Sequence, residues 1–475
     1  MVSGRRKIVV LGGGPCGLTA AWELAEKGCE VAVVERESQV GGLCRTVEHR
    51  GFRFDLGGHR FISKDRTLID RVKGLLGDEL LVATRRSVIR WRGIDYRYPL
   101  SLEEILRKVP LRLGLSCLKD LMDLRIRKRL NEGTDLTLED WLLGRFGPTL
   151  YRTFFEGYTR KLWGRSPREL SADWAGQRIP SLSLGEVFSR WLRLTKGFLR
   201  TYASSFYYPE KGIGQIFERM AEVIRARGGL LFLSSAVQEV EVSKGKAKAV
   251  HFNCEGREQD LECDLLISTI PLPDLVRSLR SRRTGLEESL EKLSFRGVRF
   301  LDLLLERDEV SENTWIYVPD EDLPMTRIQE PKRRSPFNAP PGRTSLILEI
   351  PCDPGEEAWE ESEEALLHRG VKALSRLGIE VGGQVLGYVS TWAPHAYPIY
   401  RLDYRKHQER LIAALSCSEN LLSCGRQGLF RYLFMDQAMQ MGLLAARWAQ
   451  GKASKEEVFG VGLEETLIEA QVQEA

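Results

Sequence analysis

Gly12-Gly13-Gly14-Pro15-Cys16-Gly17 leaves this chain few ways to begin its fold. The hexapeptide is a GxGxxG with its glycines at Gly12, Gly14 and Gly17, set between the apolar run Lys7–Leu11 and the amphipathic stretch Pro15–Lys27. That order predicts a buried parallel strand, a sharp turn and a helix, with a second strand over Glu30–Val34. Gly12 permits the tight turn, Gly14 lets the backbone approach a pyrophosphate, and Gly17 lets helix and strand pack closely. Pro15 and Cys16 occupy the first helical turn, whose free N–H groups can face phosphate oxygens. Glu35 ends the second strand roughly twenty residues on, where a carboxylate can accept both hydroxyls of an adenosine ribose. An acid there suits a free 2′-hydroxyl and disfavours a 2′-phosphate. The N-terminus therefore reads as a βαβ unit for an adenine dinucleotide.

The continuation separates FAD from NAD. After Glu35-Arg36 comes Gly41-Gly42-Leu43-Cys44-Arg45, a second glycine pair whose backbone can lie against a diphosphate and a flavin. Near the other end, Cys424-Gly425-Arg426-Gln427-Gly428 lies between the strand-like run Leu421–Cys424 and a helix over about Tyr432–Ala449. An ordinary glycine turn is the plain alternative in each case; strand, acid and second pair in register weigh against it. The order resembles that of the large FAD family containing amine oxidases, protoporphyrinogen oxidases and UDP-galactopyranose mutases. The resemblance implies an α/β chain: a Rossmann-type FAD-binding domain (GR2, amine-oxidase-like) with an inserted helical domain and an antiparallel-sheet substrate domain. It implies FAD contacts from Gly12, Gly14, Pro15, Cys16, Gly17, Glu35, Arg36, Gly41, Gly42, Leu43, Arg45, Gly57, Gly58, His59, Val237, Gly425, Arg426, Asp436 and Gln437.

Length and pattern agree with several interleaved units, since 475 residues exceed one simple core. Residues 1–100, 205–280 and 416–451 read as three parts of the FAD-binding unit, 101–204 as the helical insertion, 281–415 as the substrate-side sheet and 452–475 as an acidic tail with no evident partner. Short strands are expected at Leu230–Leu233, Val237–Val242, Ala249–Phe252, Leu265–Ser268, Val298–Leu305, Thr314–Val318, Ser345–Ile350 and Val385–Ser390. A net charge of +4 gives no electrostatic case for nucleic acid. Nine scattered cysteines without a CxxC pair argue for a reducing compartment and against a metal site or disulfide framework. The basic N-terminus followed by an apolar run is broken by Gly12 and is not a signal peptide, and no stretch approaches the ~20 apolar residues of a membrane span. A cytoplasmic protein is expected.

Several separated segments are similar to UDP-galactopyranose mutases, particularly the eukaryotic type. Leu56-Gly57-Gly58-His59-Arg60-Phe61 resembles their histidine loop, and Val88–Pro99 resembles the segment contacting the uridine. Leu162-Trp163-Gly164 with Trp174-Ala175-Gly176-Gln177-Arg178, Trp315-Ile316-Tyr317-Val318-Pro319 with Arg327, Ala396-Tyr397-Pro398, and Tyr432 complete the series. The resemblance implies that Arg178 and Arg327 grip the substrate pyrophosphate, that Tyr317, Tyr397 and Tyr432 donate to it, and that His59 sits against the isoalloxazine. It implies a nucleotide-sugar substrate, a reduced FAD whose N5 attacks the anomeric carbon, and no net redox change, with NAD(P)H admitted as external reductant. The chemistry asks for the same groups independently: a diphosphate needs fixed cations, and planar guanidinium forks suit phosphate oxygens.

The pattern departs at Arg60, which has no counterpart expected in the mutase loop, and at Asp436, where the mutases favour Asn. Phe206-Tyr207-Tyr208-Pro209 with Gly212-Ile213-Gly214 also resembles the family-wide Tyr-Pro-x-Gly-Gly segment, so an oxidase or desaturase of the protoporphyrinogen or carotenoid type is the alternative. Leu106–Arg129 and Ser189–Arg200 mix basic and apolar residues. A solvated helix face is the preferred reading there, ahead of a membrane-surface helix or a polyprenyl site.

Overall fold

The computed structural model describes residues 6–98, 108–128, 137–178, 205–279, 285–416 and 418–463; the side chains of 118, 121, 124–128 and 176–178 lie outside the description. The β-branched runs Lys7–Leu11 and Glu30–Val34 pair in parallel, residue for residue from Lys7↔Glu30. They form the centre of a five-stranded parallel sheet ordered Leu421–Ser423, Leu265–Ser268, Lys7–Leu11, Glu30–Val34, Leu230–Phe232. The helix Pro15–Glu26 buries nearly its whole length against it. It comes that close because Gly17 lacks a Cβ, which would lie 2.1 Å from the Gly12 carbonyl oxygen. Gly442 repeats the device for the helix Met435–Ala449, where a Cβ would meet the Cys16 carbonyl oxygen at 2.3 Å.

The strands between residues 230 and 268 divide between two sheets. Leu230–Phe232 and Leu265–Ser268 join the parallel sheet, while Ser235–Ser243, Lys246–Cys254 and Arg257–Glu262 form a separate three-stranded antiparallel sheet. Arg257–Glu262 is mostly exposed and polar, and so has no apolar alternation to betray it.

The substrate-side sheet has seven strands in the order Val385–Pro398, Phe295–Leu305, Thr344–Pro351, Arg327–Gln329, Trp315–Tyr317, Ser87–Trp91, Ile94–Arg97. It is antiparallel except where Trp315–Tyr317 meets Ser87–Trp91 in parallel. The hairpin of residues 87–97, read from sequence with the first part of the FAD-binding unit, thus forms the edge of the substrate sheet. Helices Leu111–Lys128, Leu138–Leu150 and Glu156–Trp163 make the insertion, as the three-to-four spacing predicts, and Ser189–Arg200 lies outside the described residues. The tail reading is corrected in part. Lys455–Gly460 is a helix whose Val458 is fully buried, and Arg431 donates to the carbonyls of Phe459 and Val461 at 2.5 and 2.9 Å. One buried valine and two carbonyls were too small a pattern to read from the sequence.

Asp55 ties three parts of the chain together. Its buried carboxylate accepts from Thr46 Oγ1 at 2.7 Å, Tyr208 OH at 2.6 Å and the Ile213 N–H at 3.1 Å, with Arg334 Nη1 at 3.7 Å. The Phe206–Pro209 segment therefore spends its second tyrosine on the scaffold. Asp55→Ala leaves these donors and a buried guanidinium without their acceptor. It is expected to lower stability by about 3–5 kcal/mol, read as a lower urea midpoint at unchanged m-value.

Candidate active site

The two glycine loops meet. Gly41 N–H donates to the Gly13 carbonyl at 2.8 Å, and a Cβ on Gly42 would lie 3.0 Å from Gly14 Cα. Gly41 and Gly42 both take positive φ, 105° and 54°, which bends Leu43 and Cys44 into a tight turn beneath the first loop. Glu35, buried at the strand end, accepts from Gly13 N–H at 2.5 Å and Glu37 N–H at 2.8 Å, while burial pushes its carboxyl up. Arg36 turns outward to Glu37, and Arg45 reaches from the Gly42 carbonyl to that of Trp392. Pro15 opens the helix, and Cys16 Sγ lies 3.6 Å from Cys424 Sγ. Gly425, at φ 84°, brings the third part of the unit against Cys16. Val237 sits on the strand that starts where Ser235 N–H donates to the Glu35 carbonyl at 2.8 Å.

Gln437 caps the helix Met435–Ala449 by accepting from Phe434 N–H at 3.0 Å. Asp436, beside it, is pushed up to about 6 by burial, against hydrogen bonds from the Gln437 N–H and Ser63. A folded-state pKa above the unfolded value means that stability falls as pH rises through about 4 to 6. Asp436→Asn is therefore expected to come close to the parent at pH 4 and exceed it by about 3 kcal/mol above pH 6, checked by urea unfolding across that range.

Strand register builds the facing wall. Tyr317 pairs with Arg327, Arg327 with Glu349 and Glu349 with Phe300, so these side chains stand in one row on one face of the sheet. Arg327 Nη2 donates to Glu349 Oε2 at 2.6 Å, and the Gln329 amide donates to the other carboxylate oxygen. Burial works against the guanidinium charge, but Glu349 together with Tyr397, Tyr317 and Tyr158 outweighs it, so Arg327 stays charged. The row touches the histidine loop: a Cβ on Gly58 would lie 3.0 Å from Arg327 Nη1. Gly57, at φ 119°, accepts from His59 N–H at 2.9 Å. His59 Nδ1 is buried with no partner among the described residues. Burial, with the charges of Arg334, Arg426, Arg327 and Arg60, pushes its pKa down to about 3. The imidazole is neutral.

Arg426 is the second buried cation here. It donates to the Ala396 carbonyl, and its Cζ lies 4.0 Å from the Tyr432 ring and 5.2 Å from the Tyr397 ring. Among the described residues it pairs with no carboxylate, its Nε has no partner, and burial pushes it down to about 10. Tyr397 and Tyr432 stack at 6.2 Å, and Trp163 meets Tyr397 edge-on at 5.9 Å. Arg178 closes the short helix Asp173–Arg178; its side chain lies outside the described residues. Arg60 stacks over Trp315 at 5.2 Å. Orphaned polar atoms on His59 and Arg426, the glycine cradle and Glu35 together fit an adenine dinucleotide carrying a flat ring system.

Two residues of this wall escaped the sequence reading. Glu349 is the one acid in the apolar run Leu346-Ile347-Leu348-Glu349-Ile350, a signal in plain view. Tyr158, a buried phenol pushed up by desolvation and felt by Arg327, Tyr317 and Tyr397, lies in the helix that ends at Trp163.

The profile of flavin-containing amine oxidoreductases matches residues 15–447. The dTDP-fucopyranose mutase of Escherichia coli is 26% identical over 168 residues, 35% of this chain and 44% of that protein, so the match spans less than half of that relative. A 1-hydroxycarotenoid 3,4-desaturase of Flavobacterium sp. (strain P99-3) is 23% identical over 398 residues, 75% of this chain and 78% of the other. Among solved structures, a reduced UDP-galactopyranose mutase superposes with a TM-score of 0.83 at 22% identity, covering 98% of this chain and 99% of that one. That likeness establishes the fold.

Proposed function

This chain belongs to the family of flavin-containing amine oxidoreductases, and on that footing we propose that it interconverts the pyranose and furanose forms of a nucleotide-activated sugar without net redox change. FAD, bound in its reduced form, supplies the nucleophile toward the anomeric carbon. The chain's own residues hold the diphosphate while it leaves and returns. Arg327, fixed by Glu349, which Gln329 holds in turn, offers a guanidinium that needs no reorganisation on binding. Arg178 is the proposed second fork, and Arg426 adds a buried charge at the flavin side. Tyr317, Tyr397 and Tyr432 donate hydroxyl protons without adding charge. His59, being neutral, puts no cation against the ring, and Trp163 excludes water beside Tyr397.

One observation carries this reading: a largely buried guanidinium seated against Gly58 of the histidine loop, in the row Tyr317, Arg327, Glu349. An apolar substrate has no use for it. The test is to reduce the flavin-loaded protein with dithionite, supply UDP-galactopyranose and dTDP-fucopyranose, and separate the products. Ring-contracted nucleotide sugar is expected. The longer match to a desaturase favours one second reading, an oxidase or desaturase. Peroxide release on a polyene or porphyrinogen, with no furanose product, would select it instead.

A further inference from the structure

The insertion presents a face that the described residues leave bare. In the helix Leu111–Lys128, Gly114 and the 1% exposed Cys117 point inward, and Asp120 accepts from Thr149 N–H at 2.7 Å on the neighbouring helix. On the other side, Leu111, Leu115 and Met122 are 79%, 58% and 61% exposed. At about 100° per residue these three fall within about 40° of one another. They form a single apolar stripe, edged by exposed Arg112 and Lys119. A solvated face, the reading preferred from sequence, would put polar side chains there. The helix as a whole carries Arg112, Lys119, Arg125, Arg127 and Lys128 against Asp120 and Asp123, and Asp120 is turned inward.

We propose that this stripe docks the protein on an anionic lipid bilayer. Large apolar side chains in a line with basic residues at their edge suit the headgroup boundary. The methyl groups enter the acyl region, and the cations meet anionic headgroups. A neutral protein groove would use the apolar stripe but gain nothing from the excess of cations, so charge favours the bilayer. The same insertion supplies Trp163 and Tyr158 to the wall of the active site. The contact is peripheral, and no described helix is long and apolar enough to cross a membrane.

The inference does not depend on the proposed reaction and is read without it. The full-length, flavin-loaded protein is sedimented with vesicles of phosphatidylcholine alone and of phosphatidylcholine with phosphatidylglycerol. Sedimentation with the anionic vesicles at low salt is expected, falling as salt is raised. Leu111→Ser/Leu115→Ser/Met122→Ser should abolish it, and Arg112→Glu/Lys119→Glu should weaken partitioning by more than about tenfold. Flavin absorbance and far-ultraviolet dichroism are expected to stay at the parent's values in both variants. Absence of binding at low salt, or equal binding by the variants, overturns the proposal. So does a parent dimer in light scattering that the triple-serine variant converts to monomer without any vesicle binding, since the stripe would then cover a second copy of the chain.

Discussion

Arg327→Ala is expected to lower kcat/KM for the nucleotide sugar by about 10³-fold, or about 4 kcal/mol of transition-state stabilisation. The magnitude follows from the row in which the residue stands. Glu349, itself held by Gln329, already fixes the guanidinium, so in the proposed reaction its charge would face the leaving diphosphate without first having to be ordered. Arg327→Ala also strands a buried carboxylate, which destabilises the fold by about 1–3 kcal/mol on its own. Arg327→Lys separates the two effects. It keeps a charge beside Glu349 and loses the planar fork, so stability should hold while kcat/KM falls by about 10²-fold. Steady-state kinetics on the reduced enzyme, with flavin content and urea midpoint measured alongside, check both. Unchanged kcat/KM in Arg327→Lys and Arg327→Ala would remove the diphosphate from this wall.

Gly17→Ala is expected to cost the protein its cofactor and about 3 kcal/mol or more of stability. The added methyl would sit 2.1 Å from the Gly12 carbonyl oxygen, and that oxygen belongs to backbone held by the parallel sheet. Relief requires the helix Pro15–Glu26 to lift from the sheet, which carries its N-terminal N–H groups away from the pyrophosphate position. It also disturbs the contact with Met435–Ala449, because Gly442 packs on the same turn. The measurement is the ratio of flavin to protein absorbance after purification, with the thermal midpoint. Gly74→Ala is the control: its position in the helix Arg66–Leu76 has nothing within 4 Å of a new Cβ. It should raise stability by about 0.5–1 kcal/mol with full flavin content.

The dinucleotide unit was legible because its information is local. An apolar run, three glycines, an amphipathic helix and an acid at the strand end each act within a few residues of their neighbours, and the observed strands Lys7–Leu11 and Glu30–Val34 match the expected bounds. The helical insertion was legible for the same reason, since periodicity needs no distant partner. Four of the seven strands of the substrate sheet were foreshadowed, while Arg327–Gln329 and the hairpin of residues 87–97 were not, and Val385–Ser390 runs on to Pro398, where the apolar alternation fades but pairing with Phe295–Leu305 continues.

What the sequence determined by itself is which strongly patterned segments become strand, helix and glycine turn, and hence that the chain opens on a dinucleotide fold. Only the tertiary structure decided that Arg327 stands beside Glu349 and against Gly58, that Arg426 lies over Tyr432, and that the 87–97 hairpin edges the substrate sheet. The physical reason is that strand identity is written in a period of two, whereas register is a choice between segments that lie far apart along the chain. A slip of one residue would turn Arg327 to the opposite face of the sheet while leaving every local pattern intact.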